Sequence, residues 1–422
     1  MFEFILWYLI SSLVGLISFP LAYRLLPALA DRGYALSRTI GLLFWGYIFW
    51  LFVTLGILKN DTGGLLLTFI LILGLGLWVL RKIPLSDLRT WWAHNKQLVF
   101  SVEVLFFLAF AGWTVIRAAN PEIVGTEKPM ELAFINAILH SPEFPPHDPW
   151  LSGYAISYYY FGYVLVAMLA KLTSVTGSVA FNLGISLVFA LSAIGAYAMV
   201  YYLLVATEVD EKLNTAKAWI RSANALLGPL FVLIVSNLEG FLEVLHARGL
   251  FWSKASTGIL NSKFLSWLDI KDLSQPPAEP FSWVPTRYLW WWRASRVVQD
   301  YDLAGNWKEI IDEFPFFSYL LADLHPHVLA MPFAFLAMAI ALNLFFGGGR
   351  GSFRWLGIHL DTNPQTIAFG SLVLGGLAFL NTWDFPIYVA LICAADILRR
   401  MMLGGTRIDG EWRGLVLNHP SA

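Results

Sequence analysis

Charge is scarce in this chain. Asp, Glu, Lys and Arg make up 14% of its 422 residues and cancel to a net charge of -1. Without a basic excess there is nothing to neutralise a phosphate backbone, so nucleic acid is excluded as a partner. Cysteine is rarer still: the single thiol, Cys393, lies in an apolar run, which excludes a disulfide framework and a cysteine-based metal site. There is no P-loop, dinucleotide-binding Gly motif, His-Glu-x-x-His pair or nucleophile elbow, and the common soluble chemistries fall away with them. No internal repeat appears, which argues against an inverted-repeat transporter. The first apolar run, from Phe2, has neither a basic n-region nor a small-residue cleavage site, so it reads as a retained span and not a signal peptide.

What the chain does have is apolar surface. With 58% hydrophobic residues and a mean hydropathy of +0.63, it carries more than a soluble core can hide. The expected fold is all-α, a polytopic transmembrane helix bundle in the cell membrane with membrane lipids as its surroundings. Crossing about 30 Å of hydrocarbon at about 1.5 Å per residue places spans near 3–24, 39–58, 63–80, 98–116, 178–205, 222–238, 327–346, 365–381 and 386–399, the last one short. Residues 1–97 then form a three-span N-terminal extension and 98–422 the membrane core. The chain stops at Ala422 soon after a span, with no C-terminal domain, so a truncated C-terminus is expected. Oligomeric state is not encoded in any of these features.

Basic residues orient the spans. Arg24, Arg32 and Arg38 follow the first, and Arg81, Lys82, Arg89 and Lys96 follow the third, so both loops are expected inside. The segment after Arg117 is then outside, and its Glu122, Glu127, Glu131, Glu143 and Asp148 against Lys128 alone agree. The run Tyr158–Leu172 is either a full span or a short interfacial or re-entrant helix. The second reading keeps Lys212, Lys217 and Arg221 inside, with Arg350, Arg354, Arg399 and Arg400. It brings Glu127, Glu239, Asp323 with His325 and His327, and Asp384 to one outer face. Polar residues at membrane depth are usually functional or mutually paired.

A set of motifs occupies these outer segments: Glu127-Lys-Pro-Met-Glu131, Asp148-Pro-Trp150, Tyr158-Tyr159-Tyr160-Phe-Gly162, Trp290-Trp-Trp-Arg293-Ala-Ser-Arg296, Asp323-Leu-His325-Pro-His327 and Asn381-Thr-Trp-Asp384-Phe-Pro386. Together they resemble the uncharacterised prokaryotic multi-pass proteins named for their YYY motif. That family in turn resembles the C-type (GT-C) glycosyltransferases, membrane enzymes that take a sugar from a polyprenyl-phosphate or polyprenyl-diphosphate donor. The resemblance implies a GT-C-like bundle with an external active site. Glu127 matches the acid of the first external loop, Tyr158–Leu172 the aromatic surface helix, and Glu239 the second acid. The chain departs from that plan by placing three spans before the first acidic loop and by carrying Glu where Asp is commoner.

The residues also have their own chemistry. Pro129 fits a first helical position, leaving Glu127 on the incoming loop and Glu131 in the first turn. Met130, Phe134, Ala137 and Ile138 then form an apolar face expected to lie on the membrane, with Glu131 and Asn136 pointing elsewhere. A carboxylate at a dry boundary has raised proton affinity, which suits a general base, so Glu127 and Glu131 are catalytic candidates together with Glu239. The alternative for the first two is a helix N-terminal charge and an ion pair with Lys128. Asp323, His325 and His327, with Glu239, offer oxygen and nitrogen donors suited to Mn, Mg or Zn; the alternative is helix capping at the start of a span. Arg293 and Arg296 share one helix face and suit lipid phosphate, or else ordinary anionic headgroups, beside a Trp belt. Asp148, Tyr158, Tyr159, Tyr160 and Asp384 complete the substrate-binding candidates, Asp384 equally fitting a helix cap. Two functions follow: sugar transfer on the outer face, or transport of a lipid or solute. Acids at span ends favour the first.

Overall fold

Backbone in hydrocarbon must satisfy its own hydrogen bonds, and the apolar runs accordingly fold as helices. The computed structural model describes residues 2–206, 215–254, 256, 258–270, 272–285, 290–355, 358–360 and 362–404, and 68% of the described residues are helical. Lys212 lies outside the described residues, as do the side chains of Trp290 and Trp291.

The helices are α1 (Phe2–Leu25), α2 (Ser37–Thr54), α3 (Thr62–Leu80), α4 (Leu85–Ala119), α5 (Lys128–His140), α6 (Phe161–Thr173), α7 (Gly177–Ala206) and α8 (Thr215–Ala225), then the single turn α9 (Leu227–Pro229). A π-helical stretch, Leu230–Val235, leads to α10 (Glu239–Ala247), α11 (Lys263–Leu268), α12 (Trp290–Ala294), α13 (Pro315–Leu321), α14 (Pro326–Phe345), α15 (Pro364–Leu380) and α16 (Asp384–Gly404). Among the described residues, sheet is confined to three small antiparallel hairpins: Ser253–Lys254 with Leu260–Asn261, Gln299–Tyr301 with Trp307–Glu309, and Phe353–Trp355 with Ile358–Leu360. Among the described residues, seven helical segments are long and apolar enough to cross a membrane: α1, Tyr34–Thr54, α3, α4, α7, Ala216–Val235 and α14. The protein is thus an all-α polytopic bundle. Of the two further expected spans, α15 has 17 residues, and α16 is longer than expected but carries Asp384, Asp396, Arg399 and Arg400.

The chain forms two compact units, Met1–Gly228 with Asp323–Ala422, and Pro229–Ala322. In the first, α7 and α14 are the central helices: 94% and 78% of their apolar windows are buried, against 28–39% for α1, α3 and α4. α4 runs unbroken for 35 residues because the basic segment expected as a loop contains no helix breaker between Leu85 and Gly112. α6 is a short apolar helix of 13 residues, buried from Phe161 to Ala170.

The face of α5 is a correction. Lys128, Glu131, Phe134, Ile135 and Ile138 are all buried, and the stripe packs onto α6 and α7 rather than onto lipid. Glu131 goes inward with the apolar residues because it lies three positions before Phe134, on the same side of the helix.

In the second unit α10 packs against α12, and α13 against the π-helical stretch. That stretch ends at Ser236 (φ 54°), whose Oγ accepts the Phe316 N–H at 3.1 Å.

Candidate functional site

Two helix starts meet at one end of the first unit. Gly125 (φ 75°) and Thr126 (φ 50°) are both left-handed and turn the chain sharply into α5. Glu127 is its N-cap: the Glu127 carbonyl accepts the Glu131 N–H at 3.1 Å, while its side chain makes no capping bond. At α14, Pro326 opens the helix, and the carbonyl of His325 accepts from the Val328 and Leu329 amides at 2.9 and 3.0 Å. The His325 side chain makes no cap bond either. Capping therefore does not use these two side chains.

Instead they meet each other. Glu127 Oε2 lies 3.3 Å from His325 Nε2, and the Tyr158 hydroxyl lies 3.4 Å from the same nitrogen. His325 Nδ1 is 2.7 Å from His327 Nδ1. One set of neutral tautomers satisfies the whole line: His327 Nδ1–H donates to His325 Nδ1, and His325 Nε2–H donates to Glu127. The Glu127 side chain is 52% exposed. Burial, then the Glu127 charge, pushes the Tyr158 hydroxyl up to about 12, which keeps it a neutral donor.

Beneath this line is a buried acid pair. Glu131 is 0% exposed and Asp323 6%. Glu131 Oε2 accepts the Leu324 N–H at 2.8 Å, which ties α5 to the peptide just before His325. Glu131 Oε1 and Asp323 Oδ1 are buried without a donor, and the two carboxyls lie within hydrogen-bonding reach of each other. A proton shared between them satisfies both. Burial pushes the Glu131 carboxyl up to about 10, and the neighbouring Asp323 charge adds to this. Lys128 is buried on the same side; burial and the nearby Arg117 lower its proton affinity, while Asp323 and Glu131 oppose the shift. The sequence suggests Lys128 as an ion-pair partner for Glu127 or Glu131, and not as a buried residue. Its i, i+3 spacing to Glu131, followed by Ile135 and Ile138, was the available signal that it turns inward.

The aromatic motif roofs the pair. The Phe134 ring sits 5.5 Å from Tyr158, 5.7 Å from Tyr163 and 6.0 Å from Trp150. Tyr159 packs on Tyr158 at 5.3 Å, and Tyr160 accepts the indole N–H of Trp50 at 3.0 Å. Asp148 Oδ1 accepts the amides of Trp150 and Leu151, both at 2.8 Å, so it shapes the loop. Asp384, at the start of α16, accepts from Asn381 Nδ2 at 3.1 Å and lies within electrostatic reach of His327.

The remaining candidates lie in the second unit. Glu239 is buried at the first position of α10, where its N–H donates to Asn237 Oδ1 at 3.0 Å. Arg293 pairs with Asp272 and, through Nε, with the buried Glu243 at 3.5 Å. Arg296 lays its guanidinium 3.5 Å over the Trp292 ring and donates to Ser295 Oγ at 2.6 Å. Among the described residues, no group of three or more His, Cys, Asp or Glu side chains is arranged to hold a metal ion.

A family model matches residues 44–412, from within α2 to beyond α16, and takes in every residue just described. The chain belongs to the uncharacterised membrane protein family DUF2298. Comparison with curated proteins and with solved structures finds no match. Membership thus agrees with the multi-pass helical fold, and the chemistry of the site has to be read from its own geometry.

Proposed function

We propose that the protein is a membrane glycosyltransferase that moves a sugar from a polyprenyl-phosphate-type donor to an acceptor hydroxyl on the extracytoplasmic face. The observation that carries this reading is the meeting of Glu127 with His325. The acid of the first loop, which resembles the first-loop acid of the GT-C enzymes, is half exposed and is oriented by an imidazole. An acid used only to hold a helix would be turned into the cap.

In the proposed reaction Glu127 takes the acceptor hydroxyl proton as that oxygen bonds to the anomeric carbon. The bond from that carbon to the donor phosphate oxygen breaks, and its electron pair leaves with the phosphate. His325 holds the carboxylate by its Nε2–H, and His327 fixes the tautomer of His325. The neutral Tyr158 hydroxyl, beside the same Nε2–H, turns its own O–H to the substrate, and the N-terminal end of α14 favours the charge of the phosphate. Asp384, within electrostatic reach of His327, is a further proposed substrate contact. No step is assigned to a metal.

A second reading is favoured by the Glu131–Asp323 pair: a shared buried proton is also what a proton-coupled lipid or solute transporter needs. Purified protein in proteoliposomes separates the two. Labelled sugar passing from prenyl phosphate to an acceptor supports transfer. Proton-dependent movement of an unmodified substrate, with no new glycosidic bond, supports transport and contradicts our proposal.

A further inference from the structure

A cleft of about 740 Å³ lies within the first unit, between α1, α2, α6 and α15, away from the charged residues of the site. Its walls are apolar, with Leu43, Tyr47, Trp50, Phe161 and Phe379 among them. α15 lines it from Gln365 in its first turn to Phe379 in its last, a rise of about 21 Å. Spread over that length, the volume gives a mean cross-section of about 35 Å². A slot of this width, long and walled by apolar side chains, suits a single flexible hydrocarbon chain.

Two glycines give the cleft its width. A Cβ on Gly376 would meet Leu43 Cδ1 at 2.8 Å, whereas a Cβ on Gly375 would meet nothing within 4 Å. Gly376 lets α15 approach α2, and Gly375 leaves open space in the wall.

Both walls lead to the polar site. Trp50, in one wall, donates to Tyr160 at 3.0 Å, and Phe161, the next residue, lines the cleft. Tyr158, of the same motif, contacts His325. In the other wall Phe379 stands two residues before Asn381, which holds Asp384 within electrostatic reach of His327. We propose that the cleft holds the hydrocarbon chain of a single-chain lipid phosphate, with its head at Glu127 and His325. The head's destination rests on the transferase reading, while the chain site rests on the cleft alone.

The test is photolabelling of the full chain in phosphatidylcholine nanodiscs, using a long-chain prenyl phosphate with a diazirine at the chain end. The label should fall on α1 near Leu21 and Leu25 and on the first half of α15. Gly375→Phe, which fills the cleft, and Ala368→Trp, at an exposed wall position, should each reduce labelling by roughly tenfold. Ala368→Trp keeps the test decisive should Gly375→Phe fail to fold. Labelling elsewhere, undiminished labelling in Ala368→Trp, or equal labelling by a diazirine phosphatidylcholine overturns the proposal, the last by making bulk lipid the occupant. Cleft labelling without any sugar transfer would sink the transferase reading and leave this site standing; transfer with an unlabelled cleft would do the reverse.

Discussion

His325 Nε2 lies 3.3 Å from Glu127 Oε2, although the two residues are almost 200 positions apart in sequence and each begins a different helix. The fold brings a half-exposed carboxylate onto an imidazole while the backbones, not the side chains, cap both helices. Four consequences are open to measurement.

Glu131 should behave as a neutral acid. Glu131→Gln keeps the acceptor for Leu324 N–H and replaces the shared proton with an amide N–H toward Asp323, so activity should stay within about tenfold of wild type. Glu131→Ala removes the strut, strands the Leu324 amide and frees the Asp323 charge. It should lower stability by about 1–3 kcal/mol and shift His325. Melting temperature and transfer rate of both variants check this; equal loss in Gln and Ala would contradict it.

The same group makes stability depend on pH. Its carboxyl titrates at about 10 in the folded protein against an ordinary 4.5, so the folded state holds the extra proton between those values. Stability from this group is full below pH 4.5 and declines as pH rises toward 10. In detergent, Glu131→Gln should flatten the fall of melting temperature with pH and overtake wild type at the alkaline end. A variant that melts in parallel with wild type from pH 5 to 9 would show that Glu131 is not held protonated.

Arg293 should matter for the second unit's folding before it matters for substrate. Removing it leaves Glu243, whose side chain is 1% exposed, without its Arg293 partner. Arg293→Ala should cost on the order of 3 kcal/mol, seen as faster limited proteolysis within residues 229–322. Wild-type resistance to protease together with weakened lipid-phosphate binding would instead assign Arg293 to the ligand.

The outer location of the site is checked by cysteine labelling in a Cys393→Ser background. Ser152 and Ser274, both exposed, should react with an impermeant maleimide from outside when changed to Cys, and Asn214→Cys only after the membrane is opened. Ser152 and Ser274 reporting opposite sides would break the proposed common face.

The helices were legible because apolar runs at membrane length admit little else, and the site's sequence neighbourhoods were legible because Glu127, His325 and His327 stand in polar islands between such runs. The destination of each side chain was not. Periodicity places Glu131 on a face with Phe134, yet it does not say whether that face meets lipid or protein, and the structure turns it inward. Asp148 accepts two backbone amides of its own loop, a contact that no spacing reveals. The cleft left still less trace: Gly375 and Gly376 are side by side in a helix, and only their opposite surroundings show that one permits contact and the other leaves room.

The central claim is that Glu127 is the base, and a transfer assay on purified Glu127→Gln tests it most directly. The variant keeps size and can still face His325, but it cannot take the acceptor proton. With labelled prenyl-phosphate sugar it should lose about 10² to 10⁴ in rate, with unchanged melting temperature and donor binding. Transfer at near wild-type rate by this variant, alongside a dead Glu131→Gln, would contradict the account and move the base to the buried carboxyl.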